Sequence, residues 1–201
     1  MINQNFVFLG AIIAFLGALS YLVSTIKGKT KPNRISWFLW ALAPFIAFAA
    51  EIKEGVGIQS LMTFMIGFMD FSIFLASFMN KNAVWKLRRF DFICGGSALF
   101  GLFLWYMTKN ANLAIIFSII ADGLASVPTL VKSYYFPETE NYHDYLGWTI
   151  NAGITLLTID IWNFANFGFP LYIFIICTIF VLLIKFRSGI FIQKLIRNFQ
   201  K

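Results

Sequence analysis

Three acidic side chains lie inside long apolar stretches of this sequence and are its strongest candidates for chemistry. Asp70 and Asp122 each fall midway along such a stretch, and Asp160 lies towards the end of another. A carboxyl group surrounded by hydrocarbon must be protonated, hydrogen bonded or hydrated. The stretches contain no basic side chain at comparable depth, so no ion pair is predicted there. Asp122 is the best candidate to bind a proton or a cation, with a hydrogen-bonded structural acid as the alternative, whereas Asp160 is near enough to an end to be simply hydrated.

Aromatic and amide side chains form a second group. Trp37 and Trp40 in one apolar stretch correspond to Trp148 and Asn151 in a later one. Planar rings with a few amide and carboxyl groups suit a polyhydroxylated or heterocyclic solute. Alternatively, Trp37 and Trp148 are aromatic residues at a membrane interface, but Asn151 lies a turn deeper. The predicted solute-binding residues are therefore Asp70, Asp122, Asn151, Trp37, Trp40, Trp148 and Asp160.

Sequence patterns typical of enzymes are not found. There is no glycine-rich phosphate loop, nucleophile elbow or HExxH motif. The single histidine, His143, is close to Glu138, Glu140 and Asp144, and we interpret this segment as a solvated acidic loop rather than a metal cluster. The sequence therefore predicts no catalytic residue, no metal and no cofactor.

The elements that carry these residues are transmembrane helices. Of the 201 residues, 59% are hydrophobic and only 12% are charged, and the mean hydropathy is +0.75. A helix needs roughly 20 apolar residues to cross the hydrocarbon of a bilayer. The predicted fold class is an all-α membrane protein with seven spans, at 6–26, 35–50, 58–80, 90–107, 112–132, 145–165 and 167–185.

The basic residues indicate how these spans are oriented. The net charge is +7, and most lysines and arginines follow spans one, three, five and seven. The loops on the other side contain only Lys53 and Lys109. The positive-inside rule then predicts a protein of the cytoplasmic (inner) membrane with its N-terminus outside and its C-terminus in the cytoplasm. The charge reports orientation rather than a nucleic-acid partner, and residues 188–201 are predicted to form an amphipathic tail on the cytoplasmic leaflet.

An internal repeat divides the chain. The first span ends with Lys27, five positions before Pro32, and the fifth ends with Lys132, five positions before Pro137. A repeated helix–loop–helix unit in a membrane protein is typical of two halves around a shared central site. We predict a first three-helix bundle at 1–80, a linker helix at 81–110 and a second bundle at 111–187. Because the linker adds one crossing, the two bundles are parallel.

This 3+1+3 arrangement resembles the SWEET and PQ-loop superfamily of transporters. Pro128 and Thr129 occupy the place of that family's Pro-Gln pair, near the cytoplasmic end of the fifth helix. Trp148, Asn151 and Asp160 also look like the related nicotinamide riboside transporters, which share the 3+1+3 plan. The resemblance implies transport of a small polar solute, such as a sugar, a vitamin or a nucleoside, by alternating access.

Pro44 and Pro128 are predicted hinges for such a movement, because a proline inside a helix removes a backbone hydrogen bond. Proton coupling and facilitated diffusion are both open, as is association into homo-oligomers. The alternative function is a receptor or binding protein on the same fold that does not transport. The acidic segment 138–144 favours it, because this segment is longer than its counterpart in the first half.

Overall fold

The computed structural model describes residues 2–82, 85–108 and 110–191. These residues form seven α-helices and one short 3₁₀ helix, and no β-strand occurs among them. The α-helices are α1 (Phe6–Ile26), α2 (Arg34–Lys53), α3 (Ser60–Ala76), α4 (Arg89–Thr108), α5 (Ala111–Tyr135), α6 (Tyr142–Leu157) and α7 (Phe164–Ile184). The 3₁₀ helix, Pro137–Thr139, lies between α5 and α6.

Asparagine side chains start four of these helices. Each accepts a hydrogen bond from a backbone N–H of the first turn, which would otherwise lack a partner at a helix N-terminus. The caps are Asn33 for α2, Asn110 for α5, Asn141 for α6 and Asn163 for α7. At the other end of α1, Gly28 has a φ of 71°, a left-handed conformation that glycine adopts at low cost and that ends the helix.

The surface of the protein is apolar and several of its acids are buried, the reverse of a water-soluble domain. Large apolar side chains such as Phe8, Ile12 and Leu16 on α1 are exposed. Within the described residues, α1, α2, α5 and α7 are long and apolar enough to cross a membrane. The chain is thus an all-α membrane protein.

The helices before and after α4 pair in the same way. In the first half (α1–α3), α3 packs against both α1 and α2, and in the second half (α5–α7), α7 packs against both α5 and α6. The halves meet where α1 packs on α6 and α2 packs on α5, so that the first helix of each half contacts the second helix of the other. Helix α4 packs mainly on α5 and more lightly on α2.

Glycines bring α1 and α6 into close contact. A Cβ added to Gly147 of α6 would lie 3.1 Å from Cα of Ala14, and one added to Gly17 of α1 would collide with the carbonyl oxygen of His143. Small residues let helix backbones approach closely where apolar burial gives little driving force. The contact between α1 and α6 is therefore a tightly fitted part of the junction between the halves.

Two predicted spans are longer than the helices that form. Residues 58–80 were expected as one span, but α3 ends at Ala76, and residues 145–165 were expected as another, but α6 ends at Leu157. The second difference arises because polar groups interrupt the apolar run: Thr158 caps α6, and Asn163 begins the next helix. Most of the predicted amphipathic tail lies outside the described residues.

Candidate functional site

A small cavity lies between the two halves, lined by residues from α2, α3, α5, α6 and α7. Its volume is about 30 Å³, which is room for about two water molecules. The polar and aromatic residues around it are Trp37, Trp40, Asp70, Asp122, Ser126, Asp144, Tyr145, Trp148, Cys177 and Phe180. Aliphatic side chains of α3 and α7 complete the lining.

Three carboxyl groups from three different helices line this cavity. Asp70, Asp122 and Asp144 are only 5%, 3% and 1% exposed. Asp122 accepts a hydrogen bond of 2.6 Å from the hydroxyl of Tyr172, and Asp144 accepts one of 3.1 Å from the indole Nε1 of Trp148. The Asp70 carboxyl group has no hydrogen-bond partner among the described residues, so the protein orients it less than the other two acids.

Aromatic rings form much of the rest of the wall. The Trp37 and Trp40 rings meet edge to face with centroids 5.2 Å apart, and Tyr145 stacks on Phe180 at 4.4 Å. Trp40 donates from Nε1 to Oγ of Ser126 over 3.0 Å, which fixes its orientation. The Nε1 of Trp37 is buried without a partner in the described part of the chain.

A buried ion pair lies beside the cavity, between the end of α5 and the start of α6. Lys132 and Glu140 form this pair, and they are 2% and 8% exposed. Glu140 also accepts hydrogen bonds from the hydroxyls of Tyr21, at 2.7 Å, and Tyr145, at 3.1 Å. Since Tyr145 lines the cavity as well, the ion pair is joined to the cavity wall by a direct hydrogen bond.

The interpretation of residues 138–144 as a solvated loop was therefore wrong for two of its acids. Glu140 and Asp144 are buried, whereas Glu138 and His143 are exposed. The 3₁₀ helix after α5 turns the chain back, so that Glu140 reaches Lys132. Lys132, the predicted last residue of the fifth span, lies inside the last turn of α5.

Five of the seven predicted site residues line the cavity, and two do not. Trp37 and Trp148, for which an interfacial position was the alternative, are buried inside the protein. Asn151 is also fully buried, but it packs against Gly10 in the contact between α1 and α6. Neither polar atom of its amide group has a hydrogen-bond partner among the described residues. Asp160 is exposed in the loop after α6 and accepts a hydrogen bond from Gln4.

Asp144, Tyr145 and Tyr172 belong to the site and were not predicted. Asp144 was grouped with its charged neighbours in sequence, although it precedes Trp148 by four positions, the spacing that puts two side chains on the same face of a helix. That spacing could have identified it. Nothing in the sequence pairs Tyr172 with Asp122, because 50 positions separate them.

The predicted hinges lie inside helices that face this junction. Pro44 is buried in α2 and Pro128 in α5, and α7 contains a third proline, Pro170. One turn before Pro128, the carbonyl of Ala125 accepts a 2.7 Å hydrogen bond from the hydroxyl of Ser36 on α2. A side-chain hydrogen bond thus connects the halves close to the point where the proline interrupts the backbone ladder.

Comparison with protein-family models, curated proteins and solved structures gives no match to this chain. The arrangement of the site is that of a binding cavity, because acids and aromatic rings from both halves surround a small space. Such concave sites, with mostly apolar walls and a few convergent polar groups, bind small molecules.

Proposed function

We propose that this protein moves a small polar solute across the membrane through the central cavity, by alternating access. The observation that carries the proposal is the position of the cavity, because residues of both halves line it. Transporters built from repeats bind their substrates near the midplane, at the interface between the repeats. Buried acids in a membrane protein are by default functional.

The proposal includes a seven-span topology with two parallel bundles, 1–80 and 111–187, joined by the linker 81–110. The packing of the helices supports this topology. The first helix of one half packs on the second helix of the other in both cases, as α1 on α6 and as α5 on α2. On the positive-inside rule, the N-terminus is outside and the C-terminus is in the cytoplasm. In this arrangement the acids of the cavity are reached by rocking one half against the other.

The conformation described here is the closed one in the proposed cycle. A cavity of about 30 Å³ holds water but no sugar, vitamin or nucleoside. Transport then requires the contacts between the halves to loosen, among them the glycine contact between α1 and α6 and the hydrogen bond from Ser36 to the carbonyl of Ala125. Pro44 and Pro128 are the proposed hinges.

A receptor on the same fold is the alternative function. Its support was the acidic segment 138–144, which is longer than its counterpart in the first half and could offer a surface to a partner. Burial of Glu140 and Asp144 removes much of that surface, and the observations therefore favour the transporter.

Counterflow in proteoliposomes separates the two functions. Solutes are first selected by their ability to raise the melting temperature of the purified protein, because a ligand at about 100 times its dissociation constant stabilises by about 2.7 kcal/mol. Vesicles loaded with the unlabelled solute should then accumulate the labelled solute transiently. A solute that stabilises the protein but shows no counterflow would support the receptor and contradict the transporter.

A further inference from the structure

The charge of the cavity points to the class of solute. Three carboxyl groups line it, and among the described residues no lysine, arginine or histidine does. Lys132, at the end of α5, is already paired with Glu140. A solute bearing a carboxylate or a phosphate would meet only acids at close range, so the electrostatics of the site disfavour an anion.

The carboxyl groups are not equivalent, and only that of Asp70 accepts no hydrogen bond from the described residues. Asp122 is engaged by Tyr172 and Asp144 by Trp148. Asp70 is only 5% exposed. It lines the cavity and has no hydrogen-bond partner in the described part of the chain. A buried carboxyl group without a partner is costly, and a cationic donor would remove that cost.

Aromatic rings surround the same space and supply an independent reason to expect a cation. The faces of tryptophan and tyrosine attract ammonium groups through their negative quadrupole, and the attraction is strongest where water is excluded. Trp37, Trp40, Trp148 and Tyr145 are all 6% exposed or less. Cages of this composition are the usual protein site for alkylated ammonium groups.

A bare metal ion fits the same space less well. Within the described residues, no three acidic, histidine or cysteine side chains stand close enough together to hold a metal. Ca²⁺ and Mg²⁺ require six or more oxygen ligands, from the protein or from water. The walls here are mostly aromatic and aliphatic, which suits alkyl groups around a charged nitrogen.

We propose that the solute is a small organic cation whose ammonium group binds in the central cavity, with Asp70 as its counter-ion and the tryptophans around it. This inference depends on the proposed transport function only in that the bound solute is also transported. Binding of the solute can be measured without any transport. A space for about two water molecules is smaller than a trimethylammonium group. The solute therefore enters as the halves separate.

The test compares choline with 3,3-dimethylbutan-1-ol, its neutral isostere, on the purified full-length protein. The two have the same shape and differ in charge. Binding is followed by tryptophan fluorescence and by the melting temperature. We expect choline to bind at least about tenfold more tightly than the isostere, since several aromatic contacts and one carboxylate distinguish the charges. Equal binding of the two, or binding of neither, would overturn the proposal.

Asp70→Asn is the matching variant, and Asp160→Asn is its control because Asp160 is exposed in a loop away from the cavity. Asp70→Asn should weaken choline binding at least about tenfold, whereas Asp160→Asn should leave it unchanged. Unaltered choline binding in Asp70→Asn would refute the assignment of the counter-ion. The comparison on the wild-type protein remains decisive if the variant does not fold.

Failure of this inference can be distinguished from failure of the transport function. Choline that binds but shows no counterflow supports the cation site and contradicts transport. Counterflow of a neutral sugar or nucleoside, with no preference for choline over its isostere, supports transport and overturns the cation site.

Discussion

Replacing Lys132 with methionine should destabilise the protein more than any other single substitution of a charged residue at the ends of the helices. The side chain is buried and paired with Glu140. Its removal leaves an uncompensated buried acid, which costs about 3–5 kcal/mol. At roughly 2–4 °C for each kcal/mol in a chain of this size, the melting temperature in detergent should fall by roughly 10 °C.

Two further variants make this result specific to the ion pair. Lys31→Met removes an exposed lysine that lies close by in the structure, and its melting temperature should stay near that of the wild type. The double variant Lys132→Met/Glu140→Gln removes both charges and should be more stable than Lys132→Met alone. If Lys132→Met and Lys31→Met have the same melting temperature, the ion pair does not stabilise the junction between the halves.

Transport should be lost in Asp122→Asn although the fold is kept. Asparagine retains an oxygen at Oδ1 that can accept the hydrogen bond from Tyr172, now 2.6 Å long. The substitution removes the titratable carboxyl group from the cavity with little change in the size of the side chain. We expect the initial rate of counterflow to fall at least about tenfold, which is 1.4 kcal/mol, with a melting temperature close to that of the wild type.

Asp160→Asn provides the matched comparison for this effect. It makes the same chemical change in an exposed acid that lies outside the cavity, and counterflow should be unaffected. Equal rates in Asp122→Asn and the wild type would show that the cavity acid takes no part in moving the solute. Equal losses in both variants would show that the effect is not specific to the cavity.

The helices were largely predictable because hydrophobic length is a strong signal in a membrane protein. The apolar runs that become α1, α2, α5 and α7 lie close to the predicted spans. The ends of α3 and α6 were not predictable in this way, since apolar residues recur beyond them between the polar groups. The end of α6 depends on Thr158 and on Asn163, whose side chain starts the following helix, and hydropathy does not register such capping.

The site was only partly predictable, and the reason is geometric. Asp70 and Asp122 were found because an acid within an apolar run is conspicuous in a sequence. Asp144 and Glu140 stand among other charged residues, and their burial depends on a single turn of 3₁₀ helix that folds the chain against Lys132. Asn151 was placed in the wrong part of the junction, because the sequence does not reveal which face of α6 contacts α1.

The central claim is that the cavity opens in turn to the two sides of the membrane, and Cys177 allows it to be tested directly. This thiol lines the cavity, and in a Cys94→Ala background it is the only one in the chain. A membrane-impermeant methanethiosulfonate reagent with a trimethylammonium group is added to right-side-out vesicles and, separately, to inside-out vesicles. Alternating access predicts modification of Cys177 from both sides, with loss of counterflow. Modification from only one side, or from neither, would contradict the account.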